Sequence, residues 1–103
     1  MDLFAYYIVL TMSWCVTAEG SEACEPREDT YYFSRALHCE QVRREMSVMY
    51  DEFYSNVTLL GSSCKPLIVE LDSNRMPMWA SHDKALAAAE SELANALKVL
   101  DGS

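Results

Sequence analysis

The apolar positions of this chain fall into one continuous run and two periodic stripes. The run covers residues 3–16, and the chain turns polar and acidic soon after it, at Glu19, Gly20, Ser21 and Glu22. The first stripe lies between residues 29 and 60, a stretch without Gly or Pro. There Ala36, Cys39, Val42, Met46, Met49, Phe53, Val57 and Leu60 recur at steps of three and four. That spacing lines one side of an α-helix. Gly61 follows directly and is suited to ending it. The second stripe, Leu86, Ala89, Leu93, Ala96 and Leu100, sits in a segment rich in Ala, Leu and Glu, all strong helix formers. Ser81 is a capping residue before it, Asp83 and Lys98 suit its two dipole ends, and Asp101-Gly102-Ser103 stops it.

Between the stripes the pattern is weaker. Ser62-Ser63-Cys64-Lys65-Pro66 reads as a connector. Leu67-Ile68-Val69-Glu70-Leu71 reads as a short strand without an evident partner, or as a short helix or turn begun by Pro66, which is the preferred reading. Asp72-Ser73-Asn74 is turn chemistry, and residues 75–80 form a second connector. The expected fold class is therefore all-α: a small helical hairpin or three-helix domain, with a long helix over residues 29–60 and a C-terminal helix over residues 82–100.

The apolar run changes how the rest is read. It has the length of a secretory signal core, and Val16 and Ala18 place small side chains before a cleavage point. It falls short of the roughly 20 residues that span a bilayer. The other rival is a buried first strand or helix of a cytosolic domain. Its start carries Asp2 and no Lys or Arg, unlike most leaders. The expected division is a signal peptide over residues 1–18 and one secreted domain over residues 19–103, with residues 19–28 as an extended lead-in.

Net charge is −8. The basic residues are scattered, and only Arg43 and Arg44 are adjacent. Such a surface repels nucleic acid and anionic lipid, so neither is an expected partner. The domain is small enough to need disulfide staples.

Cysteine parity then matters. With Cys15 in the leader, Cys24, Cys39 and Cys64 remain. An unbroken helix from Cys39 to Leu60 spans about 32 Å. Gly61 to Cys64 reaches back only about 13 Å. Cys24, on its extended lead-in, can fold back beside Cys39. A Cys24–Cys39 bridge is expected, leaving Cys64 free or linking two chains as a homodimer. The alternative, Cys39–Cys64, needs a sharp break near residues 55–58.

Little chemistry stands out. Asn56-Val57-Thr58 is an N-glycosylation sequon. His38-Cys39-Glu40 cannot converge on one ion from a single helix, because neighbours point about 100° apart. His82 has no cysteine near it in sequence. Asp72-Ser73-Asn74 opens like a calcium loop, but Pro77 stands where that loop needs glycine. No catalytic residue, metal site or cofactor is expected. Arg43-Arg44 reads as a charged helix face rather than a processing site. The surplus of aromatic and Met side chains suggests packing first and a contact surface second. Its candidates are Tyr31, Tyr32 and Phe33, and Met76, Met78 and Trp79. The expected function is a secreted, non-enzymatic helical protein that binds another protein. The alternatives are a carrier of a small apolar ligand, lined by Met46, Met49, Phe53 and Trp79, and an enzyme inhibitor.

Overall fold

The computed structural model describes residues 3–17, 23–53, 55–71 and 78–102. Its first element is the apolar run itself, which forms strand β1, Leu3–Thr17. Ile8, Leu10, Met12 and Trp14 are buried, while Val9, Thr11 and Ser13 between them are half-buried. That two-residue alternation is the signature of a strand with one covered face. Strand β2, Cys24–Phe33, and strand β3, Val57–Leu71, pair with β1 on either side, both antiparallel. The sheet order is β2-β1-β3, so the first strand in sequence is the middle one.

Two helices complete the fold: α1, Ala36–Phe53, and α2, His82–Asp101. They cover one face of the sheet. Ile8, Leu10, Met12 and Trp14 meet Ala36 and Cys39 of α1 and Ala89 and Ala96 of α2 in a single core. Small alanines on α2 bring its backbone close to the sheet. The extents of 58 × 32 × 19 Å fit two layers in an elongated body.

The expected all-α class is thus corrected to a mixed α/β fold, a three-stranded antiparallel sheet plus two helices. The C-terminal helix stands where the stripe placed it, with the Ser81 hydroxyl accepting from the Lys84 N–H at 3.2 Å. The long helix is shorter at both ends. Residues 29–33 leave it because Thr30, Tyr31, Tyr32 and Phe33 suit a pleated surface and pair with Thr11, Leu10, Val9 and Ile8. Val57 and Leu60 leave it because a turn at Ser55 and Asn56 redirects the chain into β3. The Asn56 carbonyl closes that turn by accepting from the Thr17 N–H at 2.9 Å. Leu67 to Leu71, read as a short helix or turn, is the second half of β3. The partner strand it lacked is β1, the segment expected to be cut away.

The disulfides follow the sheet. Cys15 bonds Cys24 across β1 and β2, with Cα atoms 5.3 Å apart. Cys39 of α1 bonds Cys64 of β3, with Cα atoms 6.3 Å apart. The expected Cys24–Cys39 bridge is therefore replaced by these two. Cys64, expected to be free or to link two chains, is bonded to Cys39 within the chain. The physical reason is the break at residues 55–56, which turns β3 back beneath α1 and brings Cys64 under Cys39.

Candidate functional site

Three places collect polar or aromatic side chains that the core does not require. The first is the junction of β1, α1 and α2. Arg35 precedes α1 and offers no side-chain oxygen to cap it, and the first turn of α1 holds no acid. Glu92 of α2 does that work from outside. One carboxylate oxygen accepts from the Ala36 backbone N–H at 2.5 Å, and the other from the Tyr6 hydroxyl at 2.6 Å. Burial raises the Tyr6 pKa above the ordinary tyrosine value, and the bond to Glu92 and its charge raise it further. The fold thus keeps a proton that an unfolded chain releases near pH 10. This contribution is complete below about pH 10 and fades as pH rises beyond it. Glu92→Leu strands two donors and is expected to cost roughly 2 kcal/mol, read from the urea midpoint. The same change is expected to lower the Tyr6 pKa, because it removes the bond and the charge of Glu92 while the burial remains.

A second polar set staples α1 to β3. Glu40 is buried, and Arg43 grips its Oε2 through Nε at 2.8 Å and Nη2 at 2.6 Å. Arg43 also donates to Ser62 Oγ at 3.3 Å. Arg44 ties α1 to the end of α2 through Asp101 at 2.6 Å. Both arginines of the dibasic pair are thereby held in ion pairs.

The third is an aromatic hollow of about 410 Å³ where the end of α1 meets β1 and β3. Trp14, Val57 and Leu59 line it from the sheet, and Ser47, Val48, Tyr50 and Glu52 from α1. The Trp14 and Tyr50 rings lie 4.2 Å apart with a 33° tilt. The indole N–H of Trp14 donates to Asp29 Oδ2 at 3.1 Å, which fixes the ring. Nearby, Tyr31 has its pKa raised by desolvation and then by Asp29 and Tyr50.

The helix-free side of the sheet is the other feature of note. Strand alternation and register place Tyr7, Val9, Tyr32, Leu67 and Val69 together there. Tyr32 is 65% exposed and Leu67 41%. The same face carries one acid on β2, Glu28, and one base on β3, Lys65. Leu60 is the extra residue of a bulge opposite Ser13 and Trp14. Pro26 and Pro66 interrupt the two outer strands, which discourages further strands from adding at the edges.

These placements divide the expected site residues. Tyr31, Tyr32 and Phe33 are neighbours on β2, but Tyr31 and Phe33 turn to the helix side and Tyr32 to the free side. Met76 lies outside the described residues. Met78 is half-buried. Trp79 is half-buried too, bridging Phe4 through two backbone bonds of 2.8 Å and stacking edge-on against Tyr6 at 5.1 Å. This connector therefore closes the start of the sheet. Of the expected ligand lining Met46, Met49, Phe53 and Trp79, the Phe53 side chain lies outside the described residues, and Trp79 stands apart from Met46 and Met49 of α1. Trp79 sits by Tyr6, eight residues or roughly 26 Å along β1 from Trp14 and the hollow. Asn56 is exposed in its turn, beside Val57 and Thr58 of the hollow. His38 is exposed, its ring edge-on to Phe33 at 4.9 Å. Among the described residues, no three His, Cys, Asp or Glu side chains are grouped to hold a metal. Nor is any helix there long and apolar enough to cross a membrane.

Glu92, Tyr6 and the Trp14–Tyr50 hollow escape sequence reasoning. Only the alternation around Trp14 signals any of them. No family model, curated protein or solved structure matches the chain.

Proposed function

We propose that the protein is a secreted, non-enzymatic binding module that acts through protein–protein contact. Its contact surface is the helix-free face of the sheet, and the occupant is a second copy of the chain. The observation that carries this reading is the apolar group on that face, where Tyr32 and Leu67 are exposed and Tyr7, Val9 and Val69 half-buried. Charge supports the occupant. The chain as a whole carries −8, yet Glu28 and Lys65 balance on this face, so two copies meeting there avoid most of that repulsion. Glu28 lies opposite Ser13 and Lys65 opposite Val9, diagonally across β1. A two-fold axis in the interface plane, set perpendicular to the line between them, seats each on its counterpart. The strands of the two sheets then cross steeply. The face covers roughly 600 Å², near the lower bound for one side of a stable interface.

Secretion is supported by the two disulfides, which need an oxidising compartment to persist. A glycan on Asn56 belongs to the same reading and is supported by that residue's exposed turn. Sedimentation velocity tests the contact. A concentration-dependent dimer in the micromolar range is expected, and Leu67→Glu is expected to weaken it at least ten-fold. Sedimentation as a monomer at every concentration would remove this occupant.

A second reading, a carrier of small ligands, is favoured by one observation. The Trp14–Tyr50 hollow of about 410 Å³ is within the usual range for small-molecule sites.

A further inference from the structure

The charges at the two ends of α1 are the reverse of what a helix dipole favours. Arg35 and His38 stand at its start, and its first turn has no acid. Asp51 and Glu52 stand in its last turn, which has no base. At the start, the fold corrects this with the carboxylate of Glu92. At the end, the aromatic hollow opens, and no Lys or Arg among the described residues lines it. Of the nearby cations, Arg43 is paired with Glu40 and Arg44 with Asp101, while Arg27, opposite Trp14 on β2, holds an exposed pair with Glu25 at 3.7 Å. The carbonyl end of an 18-residue helix and Glu52 therefore place negative charge on the α1 side of the hollow.

We propose that this hollow binds a small organic cation with an apolar body, of the arylalkylammonium class. The proposal rests on the carrier reading and gives it a ligand chemistry. The ammonium group lies at Glu52 and the end of α1. The apolar body fills the space beside Trp14, Val57 and Leu59, and aromatic rings favour a cation held over them. Ser47 and Thr58 supply hydroxyl oxygens at the wall. A neutral ligand of the same shape leaves the helix end uncompensated, and an anion is repelled. The net charge of −8 raises the local concentration of cations before any contact is made.

The test is a titration of the full chain, disulfides intact, with phenethylamine, 2-phenylethanol and phenylacetate. The indole N–H resonances of Trp14 and Trp79 report where each probe binds. The expected result is a shift at Trp14, phenethylamine binding at least ten-fold tighter than 2-phenylethanol, and no binding of phenylacetate. Added salt is expected to weaken the amine selectively. Glu52→Gln, an exposed change, is expected to remove most of the preference for the amine. Glu52→Lys is expected to block the amine while raising the melting temperature, because it supplies the missing charge within the chain. Equal binding of amine and alcohol would overturn the cationic ligand while leaving the carrier reading standing. No shift at Trp14 with any probe up to roughly 10 mM would overturn both.

Discussion

A chain beginning at Glu19 is expected to show no cooperative unfolding transition. Ile8, Leu10, Met12 and Trp14 are all at most 3% exposed, and all four lie in β1. Burial of each contributes about 2 kcal/mol, or roughly 8 kcal/mol together. That equals much of the 5–15 kcal/mol by which a domain is usually stable. The loss also leaves β2 and β3 without the strand that joins them, and Cys24 without Cys15. Cleavage after Ala18 would take away the central strand of this sheet. Circular dichroism of the shortened chain measures the first half of the argument. The intact mass of protein from a secreting eukaryotic host measures the second, and retention of β1 with a glycan on Asn56 is expected. A shortened chain that unfolds cooperatively with native-like near-ultraviolet signal would defeat the structural account.

The second large effect lies in the Cys39–Cys64 bridge. It closes a 25-residue separation, and such a loop is worth about 3 kcal/mol through the entropy of the unfolded chain. Cys39 is also fully buried, so its removal disturbs the core. Cys39→Ala combined with Cys64→Ala is expected to lower stability by at least that amount in urea denaturation. The Cys15–Cys24 bridge closes a separation of only 9, and its loop term is smaller by about 1 kcal/mol. The paired variant Cys15→Ala with Cys24→Ala is therefore the milder of the two. Non-reducing digestion followed by mass spectrometry reads the connectivity directly. A Cys24–Cys39 peptide would contradict the fold.

Helix α2 was legible in the sequence because its signals are local. Ser81, Asp83, the Ala and Leu stripe, Lys98 and Gly102 each act within a turn or two of where they stand. The sheet was not, because pairing joins residues far apart in sequence and leaves only a weak local trace. In β1 that trace is Leu10, Thr11, Met12, Ser13 and Trp14, alternating inside an apolar run that also suits a leader. Once that run is assigned to a leader, two errors follow from it. The segment Leu67 to Leu71 loses its partner and reads as a helix or turn. The cysteine count becomes odd, which leaves Cys64 spare and pairs Cys24 with the wrong sulfur. The break at Ser55 and Asn56 was hidden for a further reason. Val57 and Leu60 continue the helical step by coincidence, and only the Cys39–Cys64 alternative pointed to a turn there. Glu92 was invisible because a carboxylate that caps a distant helix looks like any surface acid.

The strand order also bears on the chain's synthesis. β1 leaves the ribosome before β2 and β3, yet Leu3 cannot meet Leu71 until β2, α1 and the whole of β3 have been made. Until β3 and α2 follow, its row of Ile8, Leu10, Met12 and Trp14 has at most β2 beside it and α1 over it. Folding dominated by such distant pairings is slow, and the nascent chain spends that interval as a client for whatever shields apolar segments in its compartment.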